Sequence, residues 1–201
     1  MKTLESHINE ALKIGKNISK FSTYSYKPKT KDELKKIVNE RIDKEDLDCD
    51  LNDIDTSLIT DMSGLFYDSV FNGNISYWDV SNVTNMSHMF MNTDFNQDIS
   101  KWDVSKVNDM SDMFYGAKFN GDISDWNISS VEDMWGMFHM SKFNQDISKW
   151  DVSRVKNMNY MFYESSFNRD ISNWNINRYC STTQMFVNCP IKEEYKPALP
   201  R

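Results

Sequence analysis

Residues 95–118 read FNQDISKWDVSKVNDMSDMFYGAK, and this pattern returns every 24 residues along most of the chain. Large apolar side chains fill the recurring columns. One 24-residue unit carries too little apolar surface to fold alone, so the period predicts a stack of units with a continuous core. Two of the clearest columns are Trp78, Trp102, Trp126, Trp150 and Trp174, and Phe66, Phe90, Phe114, Phe138, Phe162 and Phe186.

Two spacings within the unit predict its local structure. Val107, Met110 and Phe114 lie at i, i+3 and i+7, which is the spacing of one face of a helix. Trp102 and Val104 alternate with polar residues, as in a short strand with one buried face. The sequence therefore predicts an α/β repeat solenoid whose 24-residue coils each carry a short parallel β-strand and a short helix.

The chain divides into three segments by pattern. Residues 1–50 are predicted to form an N-terminal helical cap, residues 51–191 the repeat array of about five to six coils, and residues 192–201 a C-terminal tail. Within the cap, Thr-Lys-Asp-Glu at 30–33 matches a capping box and predicts a helix over about 31–44. We expect this helix to cover the apolar end of the first coil.

Charge and cysteine content exclude several classes of protein. The net charge is −7, and residues 51–201 carry 12 basic and 20 acidic side chains, which argues against direct binding to nucleic acid. No apolar run is long enough to span a bilayer. Cys49, Cys180 and Cys189 form neither a disulfide framework nor a Cys-x-x-Cys motif. Free thiols are the simpler interpretation, although pairing of Cys180 with Cys189 stays open.

Residues for catalysis or metal binding are sparse. His7, His88 and His139 have no metal-ligand spacing, and no unit breaks the repeat pattern with a Ser or Cys nucleophile beside a His. We therefore expect no enzymatic activity, no cofactor and no metal. Two acidic columns leave a choice between calcium binding and hydrogen bonding to backbone N–H groups at turns, and the second is favoured. These columns are Asp98, Asp122, Asp146 and Asp170, and Asp79, Asp103, Asn127, Asp151 and Asn175.

Exposed residues between the apolar columns are the candidates for partner binding. If the Trp and Val columns point inward, the residues between them form a polar outer face on the strand segment, and repeat proteins commonly bind partners on such a face. The Trp column itself is expected to be buried rather than to form a stacking platform. Trp135 differs, because it falls in a column otherwise held by polar residues. The candidate partner-binding residues are Tyr77, Asp79, Lys101, Asp103, Asp125, Trp135, Lys149 and Asp151.

The segment FNQDISKWDVSKVNDMSDMF resembles the repeat of the BspA-like leucine-rich-repeat surface proteins, also described as the DUF285 family of bacterial and mycoplasma proteins. The resemblance covers about residues 54–191, and YKPKTKDELKKIV is similar to the leader that often precedes such repeats. It implies a leucine-rich-repeat-like solenoid, in which Ile99, Trp102 and Val104 fit the Leu-x-x-Leu-x-Leu core. It also implies adhesion or protein binding at a cell surface without an enzymatic role.

Three functions remain open from the sequence. The first is a protein-interaction or adhesion module that binds an unidentified protein through its strand face. The second is an acidic decoy that occupies a nucleic-acid-binding protein, and the third is a calcium- or carbohydrate-dependent adhesin. The N-terminus lacks the pattern of an export signal, and residues 4–12 instead have the spacing of a short amphipathic helix. A cytoplasmic location is expected from the sequence as written, and a cell-surface or virion location from the resemblance.

Overall fold

The computed structural model describes residues 24–200, and α1 (Lys31–Lys44) is the one α-helix in that range. The Oγ1 of Thr30 accepts a hydrogen bond from the Glu33 backbone N–H at 3.2 Å, which caps the helix as the sequence predicts. Leu34 and Val38 of α1 are buried in the same core as the repeats. The predicted helix over about 31–44 is therefore confirmed. The predicted helix at 4–12 and His7 lie outside the described residues.

The predicted α/β solenoid, leucine-rich-repeat-like form included, is wrong. Residues 24–200 contain no β-sheet, and the repeat units contain neither a strand nor a helix. Each unit is a succession of turns, joined to its neighbours by isolated parallel bridges at single residues. One line of these bridges runs along the whole array through Asp61, Asn85, Asp109, Asp133, Asn157 and Ser181.

Left-handed residues explain why the helical spacing does not produce helices. Each unit turns at two positions with positive φ, four residues apart, and an L-residue with this backbone conformation interrupts a right-handed helix. Asp112 and Gly116 flank Met113 and Phe114 in this way. The first column is Gly64, His88, Asp112, Gly136, Tyr160 and Gln184, and the second is Asp68, Asn92, Gly116, Met140, Glu164 and Asn188.

Tight turns likewise replace the predicted strand. The Trp102 N–H donates to the Ile99 carbonyl at 3.2 Å, and the Val107 N–H donates to the Val104 carbonyl at 2.9 Å. Two consecutive turns thus bury Trp102 and Val104 while the residue between them stays exposed. The predicted inward and outward directions are correct, although the backbone is not a strand.

The acidic columns hold these turns in place, as the favoured interpretation predicts. The Oδ1 atoms of Asp98 and Asp103 accept hydrogen bonds from the backbone N–H groups of Ser100 (2.9 Å) and Ser105 (3.1 Å). Asp109 does the same for Ser111 at 2.9 Å. Such Asx turns satisfy backbone donors locally. Among residues 24–200 no group of His, Cys, Asp and Glu is arranged to hold a metal ion.

Stacked side chains join the units through the core. The rings of Phe90, Phe114 and Phe138 are nearly parallel, with successive centroids 5.6 and 5.8 Å apart. The predicted burial of the Trp column is confirmed, since each of its five members is only 4% exposed. The Trp102 Nε1–H donates to the Ile75 carbonyl of the preceding unit at 3.2 Å, and the other four make the equivalent bond.

A ladder of asparagines forms a second link between units. The Asn120 N–H donates to the side-chain oxygen of Asn96 at 2.8 Å, and the Asn120 side-chain oxygen accepts from the Asn144 N–H at 2.8 Å. The same bond joins Asn72 to Asn96 and Asn144 to Asn168. Every side-chain oxygen in the ladder therefore satisfies a backbone donor in the next unit.

Replacing Asn120 with Ala is expected to lower the free energy of unfolding by about 1 kcal/mol, because the Asn144 N–H loses its acceptor. Asn120→Asp is the matched control, since a carboxylate oxygen can still accept that hydrogen bond. Urea unfolding followed by circular dichroism measures both. Equal stability of the two variants would show that the ladder contributes nothing.

Both ends of the stack are covered. At the N-terminal end, the guanidinium of Arg41 on α1 contacts the Asp53 carboxylate at 2.7 Å. At the C-terminal end, Glu193–Tyr195 forms a 3-10 helix, and the Tyr195 carbonyl accepts a hydrogen bond from the Ile171 N–H at 3.0 Å. Tyr195 also packs against the core. The first residues of the predicted tail therefore close the array.

Candidate functional site

Seven of the eight candidate residues lie on the exposed polar segment of the units, directly before or directly after the buried Trp column. Their side chains are exposed, as expected. The carboxylates of Asp79, Asp103 and Asp151 accept hydrogen bonds from the Ser81, Ser105 and Ser153 backbone N–H groups. The other four on this segment are Tyr77, Lys101, Asp125 and Lys149.

Charges on this polar segment are partly paired within it. The Lys149 ammonium lies 3.5 Å from the Asp125 carboxylate. The pKa of Asp122 is held below its usual value by hydrogen bonds from Ser124, and by the nearby Lys101 and Lys149. A polar depression of about 420 Å³ at the C-terminal end is lined in part by Arg169, Asp170 and Tyr195. The polar segment is thus largely occupied by its own turn and ion-pair contacts.

Trp135, the eighth candidate residue, lies in a different part of the unit. Its ring is 36% exposed, and its ring contact is with Tyr160, at a centroid distance of 5.8 Å and an angle of 64°. Its backbone N–H donates to the Asp133 carboxylate at 2.8 Å. The structure therefore separates Trp135 from the seven polar-segment residues.

Trp135 lies beside a line of large side chains that runs along the stack. We call this line the ridge. It occupies the column directly after the buried Phe column, and none of its members is a fully buried core residue. The ends are well exposed, with Tyr67 at 48% and Val187 at 40%. The ridge consists of Tyr67, Met91, Tyr115, His139, Tyr163 and Val187.

The ridge is widest at its centre. The His139 ring meets Tyr115 and Tyr163 edge to face, at centroid distances of 4.5 and 5.0 Å. Tyr160 contacts Tyr163 at 5.8 Å and thereby connects Trp135 to the ridge. Burial lowers the pKa of His139, so the imidazole is neutral at physiological pH. The centre is an uncharged aromatic cluster.

Met140 extends this cluster on its other side. Its side chain is 47% exposed, and its sulfur accepts a hydrogen bond from the Tyr115 hydroxyl at 3.7 Å. Methionine is flexible and polarizable, so it adapts to different contacting surfaces. Tyrosine and tryptophan add apolar area with one polar atom each. The centre of the ridge and its flanks thus combine aromatic rings with one flexible, exposed thioether.

A buried carboxylate lies under the centre of the ridge. Asp112 is 4% exposed, and its backbone N–H donates to the Trp135 carbonyl at 2.7 Å. Its Oδ2 lies 3.4 Å from Nε2 of His88, while its Oδ1 has no hydrogen-bond partner among residues 24–200. Burial, then the charges of Asp133 and Asp109, raises the pKa of Asp112 to about 7.

Glycine at 136 makes room for this carboxylate. A Cβ on Gly136 would lie 2.2 Å from the Asp112 Oδ1, which is well inside van der Waals contact. Gly136 also has φ of +59°, a conformation that glycine adopts without strain. The unit that carries Trp135 is therefore shaped around the Asp112 side chain.

The cysteines are not part of this site. Cys49, Cys180 and Cys189 are all free thiols, so the open Cys180–Cys189 pairing is not formed. Burial raises the pKa of the Cys180 thiol to about 11, which keeps it protonated at neutral pH.

The ridge was missed in the sequence because its members differ in chemical type. Tyr, Met, His and Val do not form a column of identical residues. A search for repeated buried residues or for reactive polar residues therefore does not identify them. A usable signal was present, since a large uncharged residue follows the Phe column in all six units. Trp135 was found because it departs from a polar column.

Comparison with protein families gives two overlapping matches to one model. The family is described as Mycoplasma protein of unknown function, DUF285, and the matches cover residues 33–142 and 92–196. The chain belongs to this family. In this DUF285 chain the matched residues include the whole ridge and most of α1. Searches of curated proteins and of solved structures found no match.

Among the described residues of this DUF285 chain, α1 is the one α-helix. Across residues 24–200, no helix combines the length and the apolar character that crossing a bilayer requires.

Proposed function

We propose that this chain is a non-enzymatic protein-interaction module that binds a partner protein through the ridge. The observation that carries the proposal is an aromatic cluster in which Trp135 is exposed and Tyr115, His139, Tyr160 and Tyr163 are half-buried, and which continues a line of large side chains along the stack. Contiguous apolar surface on a soluble domain commonly marks a binding site.

The contrast with the polar segment supports the ridge as the binding surface. On the polar segment, Asp79, Asp103 and Asp151 hold turns, and Lys149 pairs with Asp125. On either side of the ridge centre, Trp135 and Met140 expose apolar area that a partner could cover. Aromatic residues and Met are enriched at protein interfaces, and buried aromatic anchors carry much of the binding energy.

The likeness to BspA-like surface proteins supports adhesion as the biological setting of this binding. The acidic columns give less support to a nucleic-acid decoy, because Asp98 and Asp122 accept hydrogen bonds from Ser100 and Ser124 and lie near Lys101. We therefore propose a protein partner rather than mimicry of nucleic acid.

The chain itself supplies matched substitutions for a test. Ser occupies the Trp135 column at positions 63, 87 and 111, and Asn occupies the Met140 column at positions 92 and 188. Both Asn92 and Asn188 have the same left-handed backbone as Met140. The double variant Trp135→Ser/Met140→Asn should therefore fold normally while removing the two exposed side chains that flank the centre of the ridge.

Partner capture from the native host by the double variant is expected to fall at least about tenfold relative to the unmodified chain, since two interface anchors are lost. Quantitative mass spectrometry after affinity purification measures the capture. The control variant Lys101→Ala/Lys149→Ala changes the polar segment and should retain full capture. Loss with the control and retention with the ridge variant would contradict the proposal. Thermal unfolding of both variants verifies that each is folded.

A further inference from the structure

We propose that the centre of the ridge binds an arginine-bearing segment of the partner protein, with the guanidinium placed against Trp135 and Tyr160. This inference rests on the proposed function and names the chemistry of its partner. The Trp135 and Tyr160 rings meet at 64° with centroids 5.8 Å apart, and they form two walls of differing orientation at the surface. A flat cation can stack on one wall and contact the edge of the other.

Three aspartates near Trp135 favour a cation at this location: Asp133 and Asp109 through their charge, and Asp112 only in part, because its pKa is about 7. The Asp133 carboxylate accepts a hydrogen bond from the Trp135 backbone N–H, and the Asp112 backbone N–H donates to the Trp135 carbonyl. Asp109 is bridged to Asp133 in the neighbouring unit. Among residues 24–200, none of the three forms an ion pair with a Lys or Arg.

The nearby cationic side chains are engaged elsewhere. Lys156 and Arg154 contact the Glu132 carboxylate at 2.7 and 4.0 Å. His139 is neutral at physiological pH, and among residues 24–200 the basic side chain that contacts Asp112 is that of His88, at 3.4 Å. Glu164 adds further negative charge near His139. The field around the cluster therefore favours a cation from a partner.

Arginine fits this surface better than lysine does. A guanidinium is planar, is weakly hydrated, stacks on aromatic faces and donates several hydrogen bonds in one plane. Cation–π contact is strongest with tryptophan. Asp133 is partly exposed beside Trp135, so its carboxylate can accept from a guanidinium lying on the indole. The chain's net charge of −7 also favours encounter with a basic segment.

Tryptophan indole signals offer a site-specific test. The five column Trp residues are buried and their Nε1–H groups are bonded to carbonyls, whereas Trp135 is exposed. Protein labelled with ¹⁵N-Trp is titrated with the peptide acetyl-(Gly-Arg)6-amide and observed by NMR. The signal absent in Trp135→Phe identifies Trp135. We expect this signal to shift saturably while the other five move little.

Control peptides and variants define the chemistry. Acetyl-(Gly-Lys)6-amide should bind about tenfold more weakly, and acetyl-(Gly-Glu)6-amide should not bind. Asp133→Asn should weaken the Arg peptide several-fold while keeping the turn, because Asn85 and Asn157 hold the same turn in the same column. Trp135→Ser should abolish saturable binding.

Some outcomes would overturn the inference. These are an unmoved Trp135 signal, equal binding of the Arg and Lys peptides, or Arg binding that survives Trp135→Ser. If the Arg peptide does not bind but capture of the native partner still depends on Trp135 and Met140, the arginine inference is wrong and the proposed function stands. If partner capture is unchanged when Trp135 and Met140 are replaced, the proposed function is wrong as well.

Discussion

Replacing Phe114 with Ala is expected to lower the free energy of unfolding by about 3–5 kcal/mol. The Phe114 ring is fully buried and stacks on Phe90, Phe119 and Phe138, with centroid distances of 5.6, 4.4 and 5.8 Å. Truncation opens a cavity between three consecutive units, and the stacked backbones on either side can relax only in part. Chemical denaturation followed by circular dichroism measures the loss.

Phe186→Ala is the matched control in the last unit of the same column. Its ring is partly buried and contacts one Phe ring, that of Phe162, at 5.8 Å. We expect a loss of less than about 2 kcal/mol, because less surface returns to water and the end of the stack can adjust. Comparable losses for Phe114 and Phe186 would show that the units do not share one continuous core.

Asp112→Asn is expected to raise stability at pH 8 by about 2–4 kcal/mol and to leave stability near pH 4 almost unchanged. The pKa of Asp112 is about 7 in the folded protein, well above the ordinary carboxylate value of 3.8. Folding therefore favours the protonated acid. Its stabilising contribution is complete below about pH 4 and is lost as the pH rises through 7. Asn keeps the shape of the acid without a charge.

Thermal melts between pH 4 and pH 8 measure this difference, and Asp122→Asn provides a control of opposite sign. Hydrogen bonds from Ser124 and the nearby lysines lower the pKa of Asp122, so its contribution is present at neutral pH and lost in acid. Asp122→Asn should therefore lower the melting temperature at pH 7, and the decrease should be smaller at pH 3. Parallel pH profiles for the two variants would contradict the assignment of Asp112 as a buried, destabilised carboxylate.

Burial could be predicted from the sequence, but the backbone that produces it could not. Trp102, Val104 and Phe114 are buried as expected. A strand or a helix would place these residues inward with the same spacing, so the spacing does not distinguish either from a series of turns. The decisive features are left-handed residues such as His88, Met140 and Tyr160. These residue types seldom adopt that conformation, so the sequence does not reveal which residues have positive φ.

The same limit applied to the candidate site. Exposure of Lys101 was predictable from the alternation with Trp102 and Val104, and so was the bond of Asp103 to a backbone N–H, but the pairing of Lys149 with Asp125 of the preceding unit was not. Capping by Thr30 was predictable because the capping box is a local pattern. The aromatic cluster depends on contacts between units, such as that of Tyr115 with His139, and no local pattern encodes those contacts.

The Trp hydrogen bonds all run in the same direction along the array, from each unit to the one before it. Trp150 donates to the Ile123 carbonyl of the unit before it, and Trp174 donates to that of Ile147. Each of the five column Trp residues donates to the carbonyl 27 residues before it, and in four of the five the acceptor is an Ile. Gene duplication or loss of one complete unit would recreate an existing junction instead of requiring a new one. Each such event would lengthen or shorten the ridge by one side chain, so recombination could alter the reach of the binding surface without altering the core.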